Sequence, residues 1–374
     1  MNRKDLYMKK IIALILALAS LLSFAACADK NKYPPVESTK EEAEVLMSFS
    51  YEGEDYELKY ELYRALFLNF KGEYDGGDAS FWDTDGAEEA RALINEKMIS
   101  FACEIFATVH VAKAVGFDAY SKDADKQVAE YIRLSVEGSE DGATAGFGGD
   151  YDAYLASLKE KNLNYSVGEL LIRYALAYDA VVEYYKGTAS EDNPTADMKN
   201  GALKYTREDV KSFYDSDSAA RVSVITINST YIEKSVAKER RDEIASAPSR
   251  DAALSLAIQL TASVPEDVLT GVVIGSRSLD AAYFDEVTKA ALALSADETS
   301  ELIEVTTDSV SEYWILYGLE KSEEHFNESY DSIEESYVSQ RIGEIIENAK
   351  NELKTSKSEK SVFGSIKHSK ISMS

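Results

Sequence analysis

Residues 203–227 read LKYTREDVKSFYDSDSAARVSVITI, and within this stretch the hydrophobic period changes from that of a helix to that of a strand. Thr206 with Asp209 three residues later is an N-cap pair, after which Val210, Phe213 and Tyr214 share one face of a short helix. Val222 to Ile227 is then a β-branched run with period two, the pattern of a half-buried strand. Helical periodicity dominates before this point and short strands alternate with helices after it. The expected fold class is therefore α+β, mostly α.

Upstream, Val45–Tyr51, the turn Glu52-Gly53-Glu54-Asp55 and Tyr56–Leu58 predict a short hairpin. Leu62, Tyr63, Leu66, Phe67 and Phe70 follow at helical spacing as one apolar stripe. Asp85 with Glu88 is expected to cap a long helix through Phe101 and Phe106, and Ser166 with Glu169 to form a capping box for a helix over 164–186. Two binding motifs fail on inspection. An EF-hand around Asp83 and Asp85 lacks its glutamate at position twelve, and Gly146-Phe147-Gly148-Gly149 has no preceding strand and no Gly-Lys-Ser/Thr, so it predicts a flexible loop rather than a phosphate cradle.

Downstream, strands are predicted at 222–227, 271–275, 300–307 and 313–319, with helices at 232–247, 250–261 and 279–294. This is a β-α-α-β-α-β-β order with Gly-x-x-x-Gly at 271–275. A last helix over 328–354 carries Ile333, Tyr337, Ile342, Ile346 and Ala349 in a stripe that needs a partner, because an isolated helix draws most of its stability from tertiary packing.

The N-terminus has a basic head (Arg3, Lys4, Lys9, Lys10), an apolar run from Ile11 to Phe24, and Ala25-Ala26-Cys27. The run is shorter than the ~20 residues a membrane-spanning helix needs and is followed by small residues, which predicts a signal peptide over 1–26. Small residues closing on a cysteine resemble the lipobox of bacterial lipoproteins, which implies lipid attachment at Cys27 and an extracytoplasmic, membrane-anchored location. Residues 27–44, with Pro34-Pro35, then predict a flexible tether.

The chain carries 40 basic and 67 acidic side chains, a net charge of −27; the leader holds four of the basic and one of the acidic, so its loss brings the charge to −30. Nucleic acid and anionic lipid headgroups would be repelled by such a body. Cys103 is then the single remaining cysteine, and as part of the apolar segment Phe101–Phe106 it reads as a packing residue. The three histidines, His110, His325 and His368, stand at no metal-ligand spacing, so neither a metal nor a cofactor is expected.

The Thr-x-Glu-Asp-Val-x-x-Phe-Tyr-Asp helix feeding a strand, the Tyr63-Arg-x-x-Phe-Leu-Asn69 helix behind a hairpin, and the β-α-α-β-α-β-β order resemble the SurA/PrsA family of extracytoplasmic foldases. The resemblance implies a discontinuous helical chaperone domain, similar to the SurA N-terminal domain, with a parvulin-type (PpiC-like) peptidylprolyl isomerase domain inserted. It sets expected boundaries of 45–205 for the first helical part, 206–321 for the parvulin-like domain, 322–355 for a helix completing the helical domain, and 356–374 for a disordered tail. Parvulin histidines on the first and last strands would fall at Val224 and Trp314; valine has no polar atom and indole only donates. Phe284 matches the aromatic lining the proline pocket, Thr307 a hydroxyl before the last strand, and Ser263 an acidic or thiol position. The implied site keeps its apolar wall and loses its polar groups, so no catalytic residue is assigned. The resemblance then implies a membrane-anchored chaperone whose partners are unfolded or newly secreted polypeptides. An active prolyl isomerase and a solute-binding lipoprotein are the alternatives; the second would need two strand-rich lobes, and the predicted strands are few and clustered.

Overall fold

A computed structural model describes residues 32–139, 145–187, 201–228, 232–261, 265–276, 285–306, 311–355 and 366–372. They are mostly helical, with two small antiparallel sheets. The chain divides into two compact units, one made of residues 185–344 and one made of the described residues up to 184 together with those from 345 onward.

The second of these, the helical unit, opens with strands β1 (Val45–Tyr51) and β2 (Glu54–Lys59), joined through Glu52 and Gly53, both at positive φ. Two such residues make the mirror-image turn whose twist matches a hairpin. β7 (Lys354–Thr355) pairs on the far side of β1, giving the order β2-β1-β7. Helix α1 (Tyr60–Phe70) is the core of the unit: Leu62, Tyr63, Leu66, Phe67 and Phe70 are all 2% exposed or less, as their spacing predicts. Around it lie α2 (Ala87–Ala114), α3 (Lys122–Glu137), α4 (Tyr151–Glu160) and α5 (Tyr165–Lys186).

Several local expectations change. The cap of α5 is Asn164, whose Oδ1 accepts from Val167 N; Ser166 turns instead to Glu61. The reason lies in Glu61, a buried carboxylate that takes donors from Ser38, Asn164 and Ser166. The residue before α2 is Gly86, with no side-chain cap. Residues 146–149 fold back on α3, Phe147 N and Gly149 N both donating to Val136 O. The tether is not loose from residue 32 onward. Lys32 and Tyr33 bind Glu137, Tyr151 donates to Pro34 O, and Arg64 holds Glu42. Part of the tail is likewise ordered, because His368 fits among Tyr63, Phe67 and Trp82, its Nε2 lying 2.9 Å from Tyr63 Oη.

The other unit begins with α6 (Arg207–Asp215), where the Thr206–Asp209 capping box is present in both directions. It continues through β3 (Ala219–Asn228), α7 (Lys234–Ala245), α8 (Arg250–Leu260), α9 (Pro265–Thr270), β4 (Val272–Gly275), α10 (Asp285–Ala293), β5 (Ile303–Thr306), β6 (Ser311–Gly318) and α11 (Glu323–Glu328). Its sheet has the order β4-β3-β6-β5, antiparallel throughout. Gly271, at φ +72°, leads into β4; a Cβ there would meet Val222 O at 2.9 Å, so only glycine lets the two strands approach.

The last helix, α12 (Tyr330–Glu352), spans the division of the chain. Ile333 is buried with Val210, Phe213, Tyr214, Val273 and Phe326, and Tyr337 packs on the same cluster. Only from residue 345 does the helix belong to the helical unit, where Ile346 and Ala349 are buried. The apolar face of α6 thus takes the first half of the stripe expected to complete the helical domain.

Candidate functional site

The strand period sorts the β3–β6 sheet into two faces. On one, Ile225, Ile227, Tyr313, Ile315 and Tyr317 are buried under α7, α8 and α9. Ser223 shares that side and is satisfied there, its Oγ donating to Val268 O at 2.7 Å. On the other face, Val222, Leu316, Ile303 and Ile274 are buried under Val287 and Ala291 of α10, with Val224 and Trp314 half-buried at the margin.

The register brings these last two together. Val224 lies opposite Leu316 and Thr226 opposite Trp314, so Val224 and Trp314 are diagonal neighbours on one face. Glu312 stands two residues before Trp314 on the same strand, and its Oε2 accepts the indole Nε1–H at 2.9 Å. The indole's one donor is therefore used within its own strand. Ser263, Phe284 and Thr307 lie outside the described residues, as does Cys27.

Within its own unit, this face carries no histidine among the described residues. His110 and His368 are in the helical unit. His325, at the start of α11, is buried against Tyr214, with Nδ1 3.0 Å from the phenol oxygen. That oxygen also accepts from Ser322 N, and the other ring nitrogen, Nε2, has no hydrogen-bond partner among the described residues. Burial first, and the Arg221 charge second, push this imidazole down to about 4. Arg221 itself is tied to Thr270 O and Glu320 O, fixing the start of β3. The Tyr214–His325 pair escaped sequence reading because its members are 111 residues apart. The local signal was Ser322, which caps α11 by accepting from His325 N.

Nucleophilic chemistry finds little support elsewhere. Burial pushes the Cys103 thiol up to about 11, away from the reactive thiolate. Among the described residues no group of three or more His, Cys, Asp or Glu side chains could hold a metal ion, and no helix is long and apolar enough to cross a membrane.

No family model matches the chain, and no curated protein matches it. Among the solved structures similar to it in part are two foldases. The foldase protein PrsA from Streptococcus pneumoniae str. Canada MDR_19A is 17% identical, with a TM-score of 0.27 over 68% of this chain and 86% of that one. The foldase protein PrsA from Lactococcus lactis is 16% identical, with a TM-score of 0.24 over 71% and 88% of the two chains. Likeness at this level leaves fold and chemistry to be argued from the chain's own residues.

Proposed function

We propose that the protein is an extracytoplasmic chaperone or foldase, lipid-anchored through Cys27, which binds unfolded polypeptides and whose parvulin-like unit is catalytically silent. The observation that carries the reading is the Val224–Trp314 face: an apolar platform at the margin of the α10 layer, with its indole proton already bound by Glu312. The β-α-α-β-α-β-β order supports it, the described strands and helices of residues 219–318 following that sequence with one added short helix, α9.

Prolyl isomerisation needs no cofactor, only a site where the amide loses its resonance across a barrier of ~18–20 kcal/mol. An apolar wall binds such a segment; hydrogen-bonding groups lower the barrier. Losing one polar contact of that kind costs on the order of 10²–10³ in rate, and two losses bring turnover close to background.

The expected result is suppression of aggregation of an unfolded reporter enzyme, with little acceleration of a proline-limited refolding phase. Strong acceleration that Phe284→Ala abolishes would replace this reading with that of an active isomerase. For the anchor, metabolic labelling with a fatty-acid analogue should tag the wild type and not Cys27→Ala. Labelling of both alike would remove the lipid from the proposal.

A further inference from the structure

Strand β2 is the outer strand of its sheet, and among the described residues nothing pairs with its far side. A cavity of about 440 Å³ opens beside it, lined by Glu54, Asp55, Tyr56, Glu57 and Lys59. Side chains of successive strand residues point to opposite faces of a sheet. A cavity that touches four in succession therefore runs along the strand's edge, and no residue of β1 lines it.

The hairpin turn tells which backbone groups meet the cavity. Tyr51 and Glu54 flank a two-residue turn and are register partners, so they exchange both hydrogen bonds, and the bonded pairs then alternate. Glu54, Tyr56 and Leu58 bond β1, while Asp55 and Glu57 turn their N–H and C=O outward. Leu62, Phe106 and Val109, all buried, form an apolar floor, and Tyr120, 58% exposed, stands at the rim.

The charge of the lining is unbalanced: six carboxylates against three cations. Lys113 is spent on Glu54, and Arg173 on Glu169 and Asp125. Asp55 and Glu57, at the outward positions, are exposed.

We infer that β2 is a docking edge for an extended, basic stretch of unfolded polypeptide, which adds as a strand beside Asp55 and Glu57 and lays alternate side chains on the Leu62–Phe106–Val109 floor. The inference deepens the chaperone reading and rests on it for the class of partner. Unpaired edges are usually blunted against such pairing. Here the carboxylates keep the edge soluble and select the partner, because an acidic segment meets like charge.

The test uses the full-length chain in mild detergent and a fluorescein-labelled peptide of alternating valine and lysine. Its controls are the same peptide with alternate amides N-methylated and a version with glutamate for lysine. Fluorescence anisotropy should show each control binding roughly 10-fold or more weakly, the N-methylated one through lost backbone bonds and the glutamate one through like charge. Equal binding of the N-methylated peptide overturns strand addition. Glu57→Pro, which removes an outward N–H that β1 does not use, should weaken the parent peptide similarly. If that variant unfolds, the double variant Asp55→Lys with Glu57→Lys serves, and it should reverse the preference for the basic peptide; an unchanged preference overturns the proposal. Self-association of the chain that Glu57→Pro abolishes would assign the edge to a second copy and also overturn it. Aggregation suppression is measured alongside. Its persistence when the peptide fails to bind sinks the edge alone, and its absence when the peptide binds sinks the chaperone reading alone.

Discussion

Lowering the pH from neutral to 4.5 should destabilise the unit that holds His325, and His325→Gln should remove much of that sensitivity. The folded imidazole, 4% exposed, protonates near 4, whereas an unfolded histidine does so near 6.5. Between these values the unfolded chain takes up a proton that the folded chain refuses. Stability from this group is therefore whole above pH 6.5 and lost as pH falls toward 4. The interval corresponds to about 3 kcal/mol at the limit, and to about half of that once solvent screening is allowed for. Glutamine cannot titrate. The two tryptophans fall one in each unit, Trp82 in the helical unit and Trp314 in the other. In a Trp82→Phe background, indole fluorescence thus reports the His325 unit by itself during urea denaturation, avoiding a two-state treatment of a two-unit chain. The carboxylates titrate in both proteins and cancel in the difference between them. The wild-type minus variant stability should shrink by ~1–2 kcal/mol between pH 7 and 4.5. A difference that stays constant with pH would refute the assignment of the buried neutral imidazole.

Other perturbations have defined outcomes. Truncation after residue 365 removes His368 and Ile371 from their buried sites and should lower the melting point of the helical unit, followed through Trp82, by the equivalent of about 2–3 kcal/mol. Glu61→Leu leaves Ser38 and Ser166 without their acceptor and Asn164 with Glu42 alone, and should cost about 3 kcal/mol or more in urea denaturation, with Glu61→Gln costing less. Thr206→Ala removes the hydroxyl half of the capping box on α6, leaving the bond from the backbone N–H of residue 206 to Asp209, and should cost about 1 kcal/mol, read from Trp314 fluorescence. Gly271→Ala forces a side chain into a left-handed backbone against Val222 O, and a loss of at least ~1–3 kcal/mol is expected in the same assay.

What could be read from the sequence was what one element decides alone. The α1 stripe, the hairpin turn, the α6 capping box and the strand periods of β3 and β6 each follow from residues within a few positions, and each is present. Capping was misread where a distant carboxylate competed: Ser166 has the right spacing for a box, but Glu61, 105 residues away, takes its hydroxyl. Polar composition misled for the segments at either end of the body. Residues 32–44 and 366–372 look solvated, yet a few of their side chains find buried or paired sites on Glu137, Glu61, Tyr63 and Trp82 that no local pattern reveals.

The candidate face shows the same division in a sharper form. That Val224 and Trp314 are short of polar chemistry is a property of the two residue types and was legible at once. That they are diagonal neighbours on one side of the sheet needs the β3–β6 register, and a slip of one residue would have put Val224 under α7 and α8 instead. The register is held by burial on both faces: Ile225 and Ile315 are fully buried on one side, Val222 and Leu316 on the other. A slip would exchange these sets and drive Ser223 and Thr226 to the opposite faces, parting Ser223 from Val268 O. The apolar platform is thus fixed in place by the same packing that leaves Val224 and Trp314 half-covered at its margin.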